Sequence, residues 1–177
     1  MLSIVMLIVN TIAGLLGAVL LLRFWMQAIR VRPPSSVAQF TFQLSDWLVR
    51  PLRRIVPGVG GFDWASLIGA FLIVFLATSV MFIAGVSVQT VLLMALQRFL
   101  EWILYGFMAL LVIEAIFSWV NPHAPLAPFI RALNEPLLRP IRRVVPLVGN
   151  LDLSLLVALI LLQIAQQVLG MLFTGRW

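Results

Sequence analysis

Four long stretches of the chain are free, or nearly free, of charge. Met1–Leu22 and Leu153–Thr174 carry none, Trp64–Gln97 carries none, and Trp102–Val120 carries Glu114 alone. A helix needs about 20 apolar residues to cross about 30 Å of hydrocarbon. Met1–Leu22, Trp102–Val120 and Leu153–Thr174 each predict one span. The first lacks the basic leader and small-residue cleavage site of a signal peptide and is expected to be retained. Trp64–Gln97 is too long for one ordinary helix. Gly85, Ser87 and Gln89 offer a turn, which predicts a second span over residues 64–84 and a return after it; the alternative splits off residues 86–98 as a separate helix along the outer interface. The third span is placed at Trp102–Val120, closing on Asn121-Pro122.

Composition agrees with a membrane solvent. Of 177 residues, 63% are apolar and 10% charged, the mean hydropathy is +1.12, and a soluble globule has about a quarter of its residues charged. All 12 basic residues are Arg, against six carboxylates, for a net charge of +6. Such a surplus elsewhere would raise nucleic acid as a partner. Here most of the Arg lie in two Pro-rich connections between spans, so the anionic partner at hand is the lipid headgroup layer, and nucleic acid is not expected. The absence of Cys excludes disulfides, thiolate chemistry and iron–sulfur ligation.

Short loops rich in Arg stay cytoplasmic. The first connection holds Arg30, Arg32, Arg50, Arg53 and Arg54, with Arg23 at the end of the first span. The third holds Arg131, Arg139, Arg142 and Arg143, whereas the second has Arg98 alone, near Glu101. Both Arg-rich connections are therefore expected inside and both termini outside.

The segment Leu48–Asp63 recurs 89 residues later as Leu137–Asp152, with ten of sixteen positions identical. Each copy follows an odd-numbered span and precedes an even-numbered one. The expected architecture is an all-α membrane protein with four transmembrane helices, arranged as two parallel repeats of helix, amphipathic connection and helix (1–88 and 89–177). Parallel repeats differ from the inverted repeats of many transporters.

The doubled Leu-x-Arg-Pro-x-Arg-Arg-x-Val-Pro block, followed by x-Val-Gly-x-x-Asp, resembles the YggT family of small bacterial inner-membrane proteins, as does Ser118-Trp119-Val120-Asn121-Pro122 at the end of the third span. Plastid and Gram-positive relatives are often called YlmG. The resemblance covers nearly the whole chain. It implies a multi-pass protein of the bacterial inner membrane, which makes both termini periplasmic. It also links the chain to osmotic or ionic stress tolerance, to cell division and nucleoid placement, or, in plastids, to cytochrome maturation.

The repeated block has its own physical reading. Pro51 and Pro140 suit the first turn of a short helix that Pro57 and Pro146 end, and the preceding stretches, from Val37 through Leu44 to Leu48 and from Phe129 through Leu133 to Leu137, have the spacing to extend it. Within it Arg50, Arg53 and Arg54, like Arg139, Arg142 and Arg143, fall at i, i+3 and i+4 and share one face. The expected arrangement puts the apolar side in the acyl region and the guanidinium groups among phosphates, with a protein docking surface as the alternative. Gly60 and Gly149 lie just before Asp63 and Asp152, which are expected to cap the second and fourth spans.

Glu114 is an ionisable group inside a span and hence a functional candidate. Aligning Trp119 with Ala28 sets Glu114 opposite Arg23, so an ion pair of Glu114 with Arg23 or another Arg is expected, with a transport carboxylate as the sharper alternative. Gln163, Gln166 and Gln167 form a face suited to interhelical hydrogen bonds, and Ala13, Gly14, Gly17 and Ala18 a surface for close packing. Ser118 is expected to bond its own helix backbone.

One His and no Cys cannot build a typical zinc or bis-His haem site, and no Walker loop, dinucleotide fingerprint or nucleophile elbow occurs. No cofactor, metal or enzymatic activity is expected. The leading expectation is a membrane adaptor or scaffold whose partners are anionic lipid and an unidentified protein, with a homo-oligomer compatible. A channel or transporter component and an assembly factor for another membrane protein are the alternatives.

Overall fold

The computed structural model describes residues 2–145 and 152–174 and is all-helical, without strands among them. Among the described residues four helices are long and apolar enough to cross a membrane: α1 (Leu2–Ala28), α3 (Trp64–Ser79, continued by a 3₁₀ turn at Val80–Ala84), α4 (Val88–Val120) and α6 (Leu153–Thr174). Two more, α2 (Ser35–Ile55) and α5 (Ala127–Arg142), form the connections.

Three boundaries differ from the expectation. The first helix does not end at Arg23 but runs to Ala28. Trp25-Met26-Gln27-Ala28 still favours helix, and the stop comes where Arg30 adopts a left-handed backbone (φ 57°) ahead of Pro33-Pro34. The third span does not begin at Trp102, nor are residues 86–98 a separate helix. The chain turns at Gly85 (φ 76°), and the Thr90 amide donates to Ser87 Oγ at 3.3 Å as an N-terminal cap. Good helix formers then carry α4 through 33 residues, about 50 Å, so Arg98 belongs to a helix and not to a connection.

The third difference lies in the repeated block. Pro51 and Pro140 stand inside α2 and α5 instead of opening a short helix, because the polar–apolar period upstream already favours helix from Ser35 and Ala127. A proline there loses one backbone bond and its ring crowds the carbonyl four residues back, a cost confined to the last turns of the helix. Pro57 follows the end of α2; Pro146 and Gly149 lie outside the described residues.

The chain forms two compact units, one of Met1–Ala28 with Ser35–Ile103, the other of Ile29–Pro34 with Leu104–Trp177. In the first, Leu20, Val49, Ala70, Val74, Ala95 and Phe99 make the core, and Phe71 meets Phe99 edge-on with ring centroids 5.5 Å apart. Of the small residues in α1, Gly17 makes the close approach: the Trp102 ring occupies the space its Cβ would need, whereas nothing lies within 4 Å of a Cβ at Gly14. In the second unit Leu111, Leu138, Leu155, Ala158 and Leu162 form the core. Ile4, Leu7, Ile8, Ile160, Ile164 and Leu172 are exposed on α1 and α6, as an acyl-chain solvent permits.

Candidate functional site

The charged residues of the repeated block collect into one ion cluster per unit. In the first, Asp63 is 2% exposed and accepts from Arg53 at 2.6 Å and 3.2 Å and from the Ser66 hydroxyl at 2.6 Å. Arg23, buried in α1, reaches across to α2. Its Nη1 donates to Ser45 Oγ at 2.5 Å and to Asp46 at 2.7 Å, its Nε lies 3.4 Å from Asp63, and its guanidinium carbon sits 4.8 Å from the centre of the Phe42 ring. Arg50 joins from outside through Asp46 at 2.8 Å.

In the second unit Arg142 gathers three carboxylates: Asp152 at 2.9 Å, Glu135 at 3.0 Å and Glu114 at 3.3 Å. Asn134 is fully buried and donates to the Glu114 carboxylate at 2.7 Å and to the Leu110 carbonyl at 2.9 Å. Glu114 and Arg23 therefore do not pair with each other. Each finds opposite charge within its own unit, Glu114 from Arg142 and Arg23 from Asp46 and Asp63.

These contacts divide the Arg trios. The two segments do not present three guanidiniums alike to headgroups, because the aspartate that closes each block claims the middle Arg: Asp63 takes Arg53 and Asp152 takes Arg142, which Glu135, just before the second block, also holds. Arg54, Arg139 and Arg143 remain exposed with no carboxylate within 4 Å among the described residues, and Arg50 keeps 79% of its side chain exposed. The apolar sides divide too. Phe40, Leu44 and Trp47 are exposed along α2, whereas Phe129, Ile130, Leu133 and Leu138 of α5 are buried; at the block itself Ile55 and its counterpart Val144 are both exposed.

The capping expectation holds for one aspartate in its side chain and for the other only in its backbone. Asp152 Oδ1 accepts from the Ser154 amide at 3.0 Å at the start of α6. Asp63 makes no side-chain cap; its carbonyl accepts from the Ser66 amide at 3.0 Å, and its carboxylate is taken by Arg53 and the Ser66 hydroxyl. Burial pushes both carboxyls up, but the Arg and Ser donors outweigh it and hold both below the usual carboxylate range. Asp46 is held low chiefly by its hydrogen bond from Arg23.

A cavity of about 560 Å³ opens in the second unit, walled by Glu114, Arg131, Arg142 and Asp152, with Val145 and Leu155 on its apolar side. Ser118 also lines it and, among the described residues, makes no bond to its own helix backbone, against expectation. The Arg131 contribution was not legible in the sequence, where Arg131 lies outside the repeated block. Among the described residues the Gln face forms no interhelical bond: Gln163 and Gln167 are exposed, and Gln166 Nε2 is buried without an acceptor. At the far end of the first unit Arg98 donates to Asn10 at 2.9 Å. Among the described residues no group of three or more His, Cys, Asp or Glu is placed to hold a metal.

The family model described as CCB3/YggT matches residues 2–84 and 93–173. The uncharacterized protein YggT of Escherichia coli is 31% identical over 96% of this chain and 95% of its own length. An uncharacterized protein of Haemophilus influenzae is 33% identical, over 97% of this chain and 94% of the relative. One of Pseudomonas aeruginosa is 34% identical, over 89% and 83%. No solved structure matches significantly.

Proposed function

The chain belongs to the CCB3/YggT family, and from that premise we propose that it is a non-enzymatic scaffold of the bacterial inner membrane, which holds Arg50, Arg54, Arg139 and Arg143 at the cytoplasmic headgroup layer. One observation carries the reading. In each block the middle Arg is drawn into a pair with the aspartate ten residues on, which fixes the segment, while Arg54, Arg139 and Arg143 stay exposed and unpaired among the described residues and Arg50, though bonded to Asp46, keeps most of its side chain exposed. Guanidinium groups bind phosphate bidentately, so four of them next to spans bind anionic lipid and, on that surface, an acidic protein partner.

The two Arg-rich connections are cytoplasmic and both termini periplasmic by the positive-inside rule. In α2 the exposed Phe40, Leu44 and Trp47 lie in the acyl boundary as an amphipathic helix. A transport role needs a carboxylate free to change partners, and the hold of Asn134 and Arg142 on Glu114 supports the scaffold instead. Stress tolerance or cell division, which the family resemblance implies, gives such a scaffold its setting.

A basic residue near an anionic surface contributes about 1 kcal/mol, so changing all four exposed Arg to Gln removes several kcal/mol of anchoring. The variant should copurify with far less anionic lipid and insert with mixed orientation. In the Cys-free background, single Cys probes at Ser36 and Ala132 should resist an impermeant reagent applied outside. Unchanged lipid retention, or labelling of either probe in intact cells, refutes the reading.

A further inference from the structure

The two repeats share their ion pair and diverge around it. In the register that pairs Arg53 with Arg142 and Asp63 with Asp152, Phe42 corresponds to Arg131 and Ser66 to Leu155. In the register of the spans, Arg23 corresponds to Glu114 and Gln27 to Ser118. The contacts support both registers, because Arg23 bonds Ser45 where Glu114 bonds the equivalent Asn134. The first unit uses these residues among themselves: Arg23 packs on Phe42, and Ser66 satisfies Asp63. In the second unit all four replacements, Glu114, Ser118, Arg131 and Leu155, line the cavity.

Two of the four bring groups without a close partner. Among the described residues Arg131 has no carboxylate within 4 Å and the Ser118 hydroxyl has no hydrogen-bond partner. Glu114 and Asp152, also in the lining, share the guanidinium of Arg142, which Glu135 takes as well from outside the lining, so acid is in excess around that residue. A cation without an ion pair beside a surplus of carboxylate is the complement of a zwitterion. No aromatic ring is among the described residues that line the cavity, so a quaternary ammonium, which is held by ring faces and donates no hydrogen bond, is disfavoured against a primary one.

Depth selects the source. Glu114 lies six residues before the end of α4, about 9 Å along the helix, and Asp152 immediately precedes α6. The cavity therefore spans the level where headgroups meet acyl chains, and its volume of about 560 Å³ is ample for a headgroup. We propose that it binds the headgroup of a zwitterionic phospholipid with a primary ammonium, the phosphate on Arg131 and Ser118 and the ammonium on the carboxylates around Arg142. This site is separate from the four exposed Arg of the scaffold reading and does not depend on them.

The test uses the full chain in nanodiscs with spin-labelled phosphatidylethanolamine, phosphatidylcholine and phosphatidylglycerol. The wild type should prefer phosphatidylethanolamine over both others. Arg131→Phe, which installs the first repeat's residue at an exposed position, and Ser118→Ala should keep the fold. Arg131→Phe should lower the preference about tenfold, the equivalent of one charge-assisted hydrogen bond, and Ser118→Ala by less. Gln at the four exposed Arg should reduce phosphatidylglycerol retention and leave the ethanolamine preference intact, so the two readings fail separately. A preference unchanged in Arg131→Phe, or absent in the wild type, overturns the site. Competition by soluble phosphoethanolamine as strong as by the lipid overturns the lipid source.

Discussion

Arg53 Nη2 stands 2.6 Å from Asp63 Oδ2, and the equivalent Arg142 and Asp152 repeat the contact at 2.9 Å. Each pair joins the last turn of a connecting helix to the residue before the next span, ten residues on. It thereby closes the turn through which α2 leads to α3 and α5 to α6. Removing one partner of a buried pair is costly because the other charge stays behind, though Arg53 is 46% exposed and recovers some solvation. Asp63→Asn, which also leaves the buried Arg23 short of countercharge, should cost about 2–4 kcal/mol. Arg54→Gln, on an exposed side chain, should stay within about 0.5 kcal/mol. Thermal unfolding in detergent measures both, and equal effects would remove the distinction drawn between the middle Arg and its neighbours.

The same carboxylates set an acid limit. Asp46, Asp63 and Asp152 are held below their usual range when folded, whereas an unfolded Asp titrates near about 3.9. A depressed carboxylate contributes its full stability above the unfolded value and loses it as pH falls through the folded one. The melting temperature should be flat between about pH 7 and 5 with respect to these groups and fall below about pH 4. The Asp63→Asn and Asp152→Asn variants should start lower and fall less steeply. A fall as steep as the wild type's in both would assign the acid limb to other groups.

The four spans, the connecting segments and the two copies of the block were legible because hydropathy, Arg placement and a 16-residue self-match are local signals. Helix ends were less legible. Ala28 and Val88 are set by a left-handed Arg30 and a Ser87 cap, each a single-residue event inside an otherwise continuous pattern. The division of the Arg trios was hidden for a different reason. Residues at i, i+3 and i+4 share a face, but that spacing does not say which of them a carboxylate ten residues away will claim. Arg131 and Phe42 were invisible because they lie outside the identical positions, and it is their difference that marks the second unit.

The contact between Gly17 and Trp102 predicts an asymmetry between two glycines of α1. With the indole where a Cβ would stand, Gly17→Ala overpacks the helix and should cost about 1–3 kcal/mol. At Gly14 nothing lies within 4 Å, so Gly14→Ala should be neutral or gain up to about 1 kcal/mol from helix propensity. Shrinking the ring with Trp102→Leu should largely suppress the penalty of Gly17→Ala. If Gly17→Ala destabilises equally in both backgrounds, the ring is not the cause.

The opposed charges at Arg23 and Glu114 make a double substitution informative. Glu114→Arg gives the second unit the charges of the first, with Glu135 and Asp152 in the places of Asp46 and Asp63. It also sets the new cation near Arg131, where the first unit has Phe42 packed on Arg23. The single variant should therefore lose about 2–4 kcal/mol, partly from the broken Asn134 and Arg142 contacts and partly from that like-charge approach. Adding Arg131→Phe removes the repulsion and supplies a ring for the new guanidinium. The pair should recover about 1–2 kcal/mol, although Arg131→Phe alone brings no such gain, so the coupling is opposite in sign to independent damage. Additive losses in the double-mutant cycle would mean that positions 114 and 131 do not meet as Arg23 and Phe42 do, and the repeat correspondence behind the headgroup site would fall with them.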